Sequence, residues 1–224
     1  MSGTVGGQDD GSRGGAAGRP DGIGQLEVRD EPVSYPVASS EVVFHGRVWD
    51  IVADDVTLPD GQAIRREYLR HPGAVAVIAV DDEGRVLLQR QYRHPVAALL
   101  WEPPAGLLDV PGEPPVDTAR RELHEEADLR AADWRHLLTF DSTPGGTSEV
   151  IHVFLARSLS QVPLGERFVR EHEEAALVPV WLPLDRAVGL VMSGAVHSPT
   201  AVVGLLAAWR AQSQPGGWDA LPSV

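Results

Sequence analysis

Three features of the sequence predict an α+β protein built in mixed α/β/α layers. β-branched, alternating stretches fill the region from about residue 42 to 92, a charged amphipathic stretch over 115–127 has helical spacing, and two apolar helical stretches follow near 184–193 and 199–211. Strands and helices in so irregular an order argue against a doubly wound Rossmann arrangement. A hydrophobic fraction of 43% over 224 residues is enough for one sizeable core.

Residues 1–30 carry nine of the 23 glycines among scattered Asp, Ser and Arg. Such a composition buries too little apolar surface to offset its ordering entropy, so a disordered tail is expected. Residues 31–70 form the next unit. "VVFHGRVWDIVADDVTLPDGQAIRREYLR", from Val42 to Arg70, alternates and turns at Pro59-Asp60-Gly61, which predicts a small antiparallel β unit. A larger domain is expected over 71–212. It opens with "AVAVIAV" (74–80), a turn at 81–84 and "RVLLQRQY" (85–92), which together read as a hairpin.

A helix is expected from Pro115 to Ala127, with proline at its first turn and acidic residues near its N-terminus. Strands are expected at 134–140, 149–156 and 176–182. Ser198-Pro199 is a good cap and first residue for the last helix. Residues 213–224 read as a C-terminal tail.

Composition excludes whole classes of chemistry. All 19 basic residues are arginine, and lysine, cysteine and asparagine are absent. That removes Walker-type loops, lysine Schiff bases, thiol nucleophiles, disulfides, cysteine zinc sites and glycosylation sequons. With a net charge of −13 and a pI near 4.9, neither nucleic acid nor an anionic membrane is an expected partner. Apolar runs are too short to span a bilayer and no secretory leader is visible, so a cytoplasmic location is expected.

Glu122, Glu125 and Glu126 stand at i, i+3 and i+4 on the predicted helix and share one face. Like charges at that spacing repel unless a cation collects them, and hard oxygen donors suit Mg²⁺, with Mn²⁺ as the alternative. Taken alone, "RELHEE" also fits an ordinary solvated helix face screened by Arg120, Arg121 and Arg130. The wider pattern decides between the two. Gly106, Glu113, Arg121-Glu122-Leu123, Glu125-Glu126 and Leu129 resemble the Nudix box, G-x5-E-x7-R-E-U-x-E-E-x-G-U with U aliphatic. Two departures stand out: six residues separate Gly106 from Glu113, and Asp128 occupies the second glycine position. A loop tolerates the insertion, and Asp is among the few residues besides Gly that accept a left-handed backbone.

The resemblance extends over roughly residues 40–211 to the ADP-ribose pyrophosphatase group, through "QYRHPVAALLWEPPAG" (91–106) and "STPGGTSEVIHVFLA" (142–156). It implies a Nudix fold, a mixed sheet sandwiched by helices. It also implies divalent metal held by Glu122, Glu125, Glu126 and the Ala105 carbonyl. Gly106, Glu113 and Arg121 would shape the box, and Glu149, with Glu125 and Glu126, would carry catalysis. Trp49, Arg66, Arg93, Glu102 and Pro144 would contact substrate. The β unit of 31–70 would pair, and in that group exchange, between subunits of a homodimer.

Residue by residue, the alternatives stay open: Arg93 as a surface ion pair, Trp49 as a core aromatic and Glu149 as a solvent-facing strand residue. "EHEEA" (171–175) resembles the group too, although Glu171, Glu173 and Glu174 also fit a solvated turn. His94, His124 and His172 read as surface residues. The implied activity is Mg²⁺-dependent hydrolysis of ADP-ribose, a small nucleotide, to AMP and ribose 5-phosphate. Two other activities remain: hydrolysis of another nucleoside diphosphate derivative, such as a sugar nucleotide or dinucleoside polyphosphate, and nucleotide sensing without turnover. The intact carboxylates speak against sensing.

Overall fold

The computed structural model describes residues 28–170 and 177–224. Most of the Gly-rich stretch, and Glu171, Glu173 and Glu174, lie outside the described residues. The fold occupies Pro36–Val224, and residues 28–35 belong to a separate unit.

The first sheet is an antiparallel meander of β1 (Val37–His45), β2 (Asp50–Thr57) and β3 (Ala63–Arg70). Its β2–β3 turn falls at the expected Pro59-Asp60-Gly61, where the Gly61 N–H donates to the Leu58 carbonyl and φ is +85°. Within the 31–70 unit the alternating pattern is legible only from Val42, and the first half of β1 lies ahead of it, because the side chains of that strand are almost all exposed and carry no burial pattern.

The central sheet is mixed. Its order is β7 (Ala105–Leu107), β4 (Ala74–Ala79), β9 (Val150–Gln161), β8 (Leu129–Asp141), with β4 antiparallel to β7 but parallel to β9. β4 is buried on both faces, which explains its unbroken apolar run. Val75, Val77 and Ala79 pack toward α1 (Pro115–Ala127) with Ala119, Leu123 and Phe154. Ala76, Ile78 and Val80 pack on the other face with Leu184, Ala187 and Leu205, from α2 (Leu184–Met192) and α3 (Pro199–Gln212). One helix against one face and two against the other give the α/β/α layering that the sequence predicts. Gly204 allows α3 to approach closely, since a Cβ there would sit 2.6 Å from the Ile78 Cδ1.

The expected 74–92 hairpin is corrected. β5 (Arg85–Arg93) belongs to a separate antiparallel sheet, between β10 (Val178–Pro183) and β6 (Ala98–Glu102). Between β4 and β5 there is one isolated bridge, Val80 to Val86, beyond the tight turn in which the Asp81 carboxylate accepts the Glu83 and Arg85 N–H groups. β9 runs along one edge of β4 and β7 pairs with the start of the other, so β5 leaves to find partners elsewhere. Alternation identifies strands and does not name their neighbours.

Residues 213–224 lie back on the domain. The Trp218 indole N–H donates to the Ala208 carbonyl, Arg157 sits over the Trp218 ring, and the Val224 N–H donates to the Trp134 carbonyl. At α3, Ser198 occupies the cap position, but its hydroxyl meets Thr200 at 3.3 Å and makes no capping bond to a backbone N–H.

Candidate active site

α1 runs over the predicted residues, with Pro115 at a position whose N–H has no intrahelical use and Asp117 in the first turn. Ala119 and Leu123, both fully buried, fix the helix on the sheet. That anchoring brings Glu122 and Glu126 to β7. A Cβ on Gly106 would fall 2.1 Å from the Glu122 carboxyl carbon, so only glycine lets this side chain lie against the strand. The Glu126 carboxylate accepts the Ala105 N–H at 3.0 Å, and the Glu126 carbonyl accepts the Gln89 side-chain amide at 2.7 Å. Both glutamates are nearly buried, which is costly for carboxylates unless charge or hydrogen bonds compensate.

Arg121 supplies part of the compensation. Its guanidinium donates to Glu122 at 2.6 Å and to Glu113 at 3.3 Å, and lies 3.6 Å from both Glu125 and Asp109. Burial works against its charge, but Glu122, Glu113 and Glu125 outweigh that and hold its pKa above the usual arginine value. Glu113 also accepts the Thr118 hydroxyl at 2.7 Å.

Among the described residues no three carboxylate or imidazole side chains are gathered into a metal cage. The donor set nevertheless suits a divalent ion. Four carboxylates surround one guanidinium, leaving excess negative charge, all donors are hard oxygens, and Gly106 lets the Glu122 carboxylate lie against β7.

Both departures from the box pattern have local explanations. The longer loop turns at Gly112, φ +79°, where the Glu113 N–H donates to the Val110 carbonyl. Asp128 ends α1 in the left-handed region at φ 54°, ψ 36°, and its N–H donates to the His124 carbonyl. Its carboxylate adds what glycine lacks: Arg170 pairs with it at 2.7 Å and also donates to the Glu125 carbonyl.

The remaining candidates lie in separate groups. Arg93, on β5, clasps Glu102 at the end of β6, with donors 2.6–3.2 Å from its oxygens. Arg66 is exposed on β3, and Pro144 is exposed in the turn closed by Gly146 and Thr147 N–H groups on the Thr143 carbonyl. Glu149 accepts the Ser142 hydroxyl and lies 3.5 Å from the His71 Nε2. Trp49 sits in the β1–β2 connection and stacks on the His71 ring, with centroids 5.4 Å apart and planes 30° apart. His71, Gln89 and Arg170 escaped the sequence reading. Each meets its partner through tertiary packing, and none carries a spacing signal.

A NUDIX domain model matches residues 70–200, more than half of the chain. The chain belongs to the Nudix family. An ADP-ribose pyrophosphatase of Mycobacterium tuberculosis is 41% identical over 173 residues, covering 77% of this chain and 82% of that protein. One from Bacillus subtilis is 42% identical over 160 residues, covering 71% and 84%. The crystal structure of an ADP compounds hydrolase matches with a TM-score of 0.66 at 24% identity over 81% of this chain and 96% of its own, which is a likeness of fold. The strand and helix layers described above are therefore the Nudix fold. Among the described residues no helix is long and apolar enough to cross a membrane.

Proposed function

We propose that this Nudix pyrophosphohydrolase cleaves ADP-ribose to AMP and ribose 5-phosphate, with Mg²⁺ as its cofactor and Mn²⁺ able to substitute. The observation that carries the proposal is the seating of Glu122 and Glu126 on β7 at Gly106 and Ala105, in a chain more than 40% identical to two ADP-ribose pyrophosphatases.

Glu122, Glu125, Glu126 and the Ala105 carbonyl would hold the metal. Bound there, a divalent cation neutralises diphosphate charge and makes a bound water more acidic. Glu149 accepts the proton of the attacking water. The water oxygen bonds to one phosphorus as the bond from that phosphorus to the bridging oxygen breaks. Arg93, held by Glu102, faces the phosphates or ribose, and Arg66 reaches the substrate from β3. Trp49 offers an indole face to adenine, and Pro144 shapes the loop leading to Glu149. The enzyme works as a homodimer, supported by the apolar surface that Val43, Phe44 and Trp49 leave exposed on the N-terminal sheet and its turn.

Incubation with ADP-ribose and Mg²⁺, alongside other sugar nucleotides and dinucleoside polyphosphates, tests the substrate. AMP and ribose 5-phosphate should appear in equal amounts, with the highest kcat/KM for ADP-ribose. Consumption of another nucleotide while ADP-ribose stays intact would reassign the substrate.

A further inference from the structure

His71 has no part in the reaction described so far, yet it lies where three elements meet. It follows β3 directly, its side chain is 6% exposed, and the loop bearing Glu149 is tied to the same backbone. The Leu69 N–H donates to the Gly146 carbonyl, the Ser148 N–H to the Leu69 carbonyl, and the His71 N–H to the Ser148 hydroxyl, each at 3.0 Å.

The imidazole is oriented by its own neighbour. The Gly73 N–H donates to the His71 Nδ1 at 3.0 Å, so that nitrogen is an acceptor and the neutral ring carries its proton on Nε2. That nitrogen is 3.5 Å from the Glu149 Oε1, while the other carboxylate oxygen takes the Ser142 hydroxyl. One face of the ring stacks on Trp49.

We propose that His71 is the positioning residue for Glu149: its Nε2–H holds the carboxylate in the orientation for taking a proton from water, and its stack on Trp49 ties that carboxylate to the aromatic surface facing the nucleotide. The proposal rests on the assignment of Glu149 as proton acceptor. A donor–acceptor distance that is long without substrate commonly shortens in the substrate complex. Occupancy at Trp49 would thereby reach Glu149 through one buried ring.

Four single variants of the full-length protein and one double variant, assayed with Mg²⁺ and ADP-ribose, test it. His71→Phe keeps a ring for Trp49 but has no N–H, His71→Asn reaches only the Nδ1 position, and His71→Gln places an amide N–H near the Nε2 position. Glu149→Gln is the reference. His71→Phe and His71→Asn should each lose kcat by about 10–100-fold, the range for groups that orient a functional side chain, with KM changed less than about threefold. His71→Gln should recover most of that loss, and the His71→Phe/Glu149→Gln double variant should be no slower than Glu149→Gln. Folding of each variant is checked by its thermal midpoint. An inactive Glu149→Gln beside a folded His71→Phe with wild-type kcat would overturn the role of His71 and leave that of Glu149 intact. Equal loss in His71→Phe and His71→Gln, or an effect on KM alone, would also overturn it. A fully active Glu149→Gln would instead remove the proton-acceptor assignment, and the proposal with it.

Discussion

Glu122 lies against the bare α-carbon of Gly106, in a space that a single methyl group would fill. The first box residue and the first glutamate of α1 are thus one steric unit, although they lie on different elements. Gly106→Ala should push Glu122 off β7 and cost at least about tenfold in kcat, with overpacking lowering stability by about 1–3 kcal/mol. Steady-state rates and a denaturant midpoint on the same variant check both parts.

Glu126 accepts the Ala105 N–H, a bond that an amide oxygen can also accept. Glu126→Gln should therefore keep the fold while removing a charge from the proposed metal site, lowering turnover by about 100-fold or more. Unchanged thermal midpoint with lost activity is the expected pair of results. Near-normal turnover would show that the metal assignment is wrong.

Asp128 combines a left-handed backbone with an ion pair to Arg170. Asp128→Gly relieves the first and loses the second, so stability should change by less than about 1 kcal/mol. Asp128→Val loses the pair and forces a β-branched residue into the left-handed region, for a loss of about 2 kcal/mol or more. Urea unfolding of the two variants separates these outcomes.

How much was legible in the sequence depended on how local the signal was. Pro115, the Glu122–Glu126 spacing and Leu123 defined α1 within one stretch, and the helix occupies the predicted residues. β6 and β7 are absent from the sequence expectations: each is short, Pro103-Pro104 separates them, and each pairs with a different sheet. The Trp49–His71–Glu149 cluster was illegible as a unit, because the loop meets the chain just after β3 through bonds such as that of His71 to Ser148, 77 residues apart. Box residues announce themselves by spacing, and residues that orient them do so only by contact.

Asp133 is gripped by Arg157 and Arg135, and Arg157 also holds Asp219 in the C-terminal segment. Partial burial would raise the Asp133 pKa, but the two guanidinium groups outweigh it and hold it below the ordinary 3.8. A depressed carboxylate contributes stability in full above its unfolded value, and that contribution fades as pH falls through the folded one. Asp133→Asn should therefore be less stable than wild type at pH 6, with the gap in thermal midpoint closing below about pH 3.8. A gap that is constant or widens in acid would contradict the ion-pair assignment.

The most direct test of the catalytic assignment is the dependence of ADP-ribose hydrolysis on free Mg²⁺, measured after chelation for wild type and Glu122→Gln. Wild type should form no AMP without metal and regain turnover saturably with Mg²⁺ or Mn²⁺, whereas Glu122→Gln should need a higher concentration to reach a lower plateau. Turnover that persists under chelation, or a Glu122→Gln metal curve identical to wild type, would contradict it.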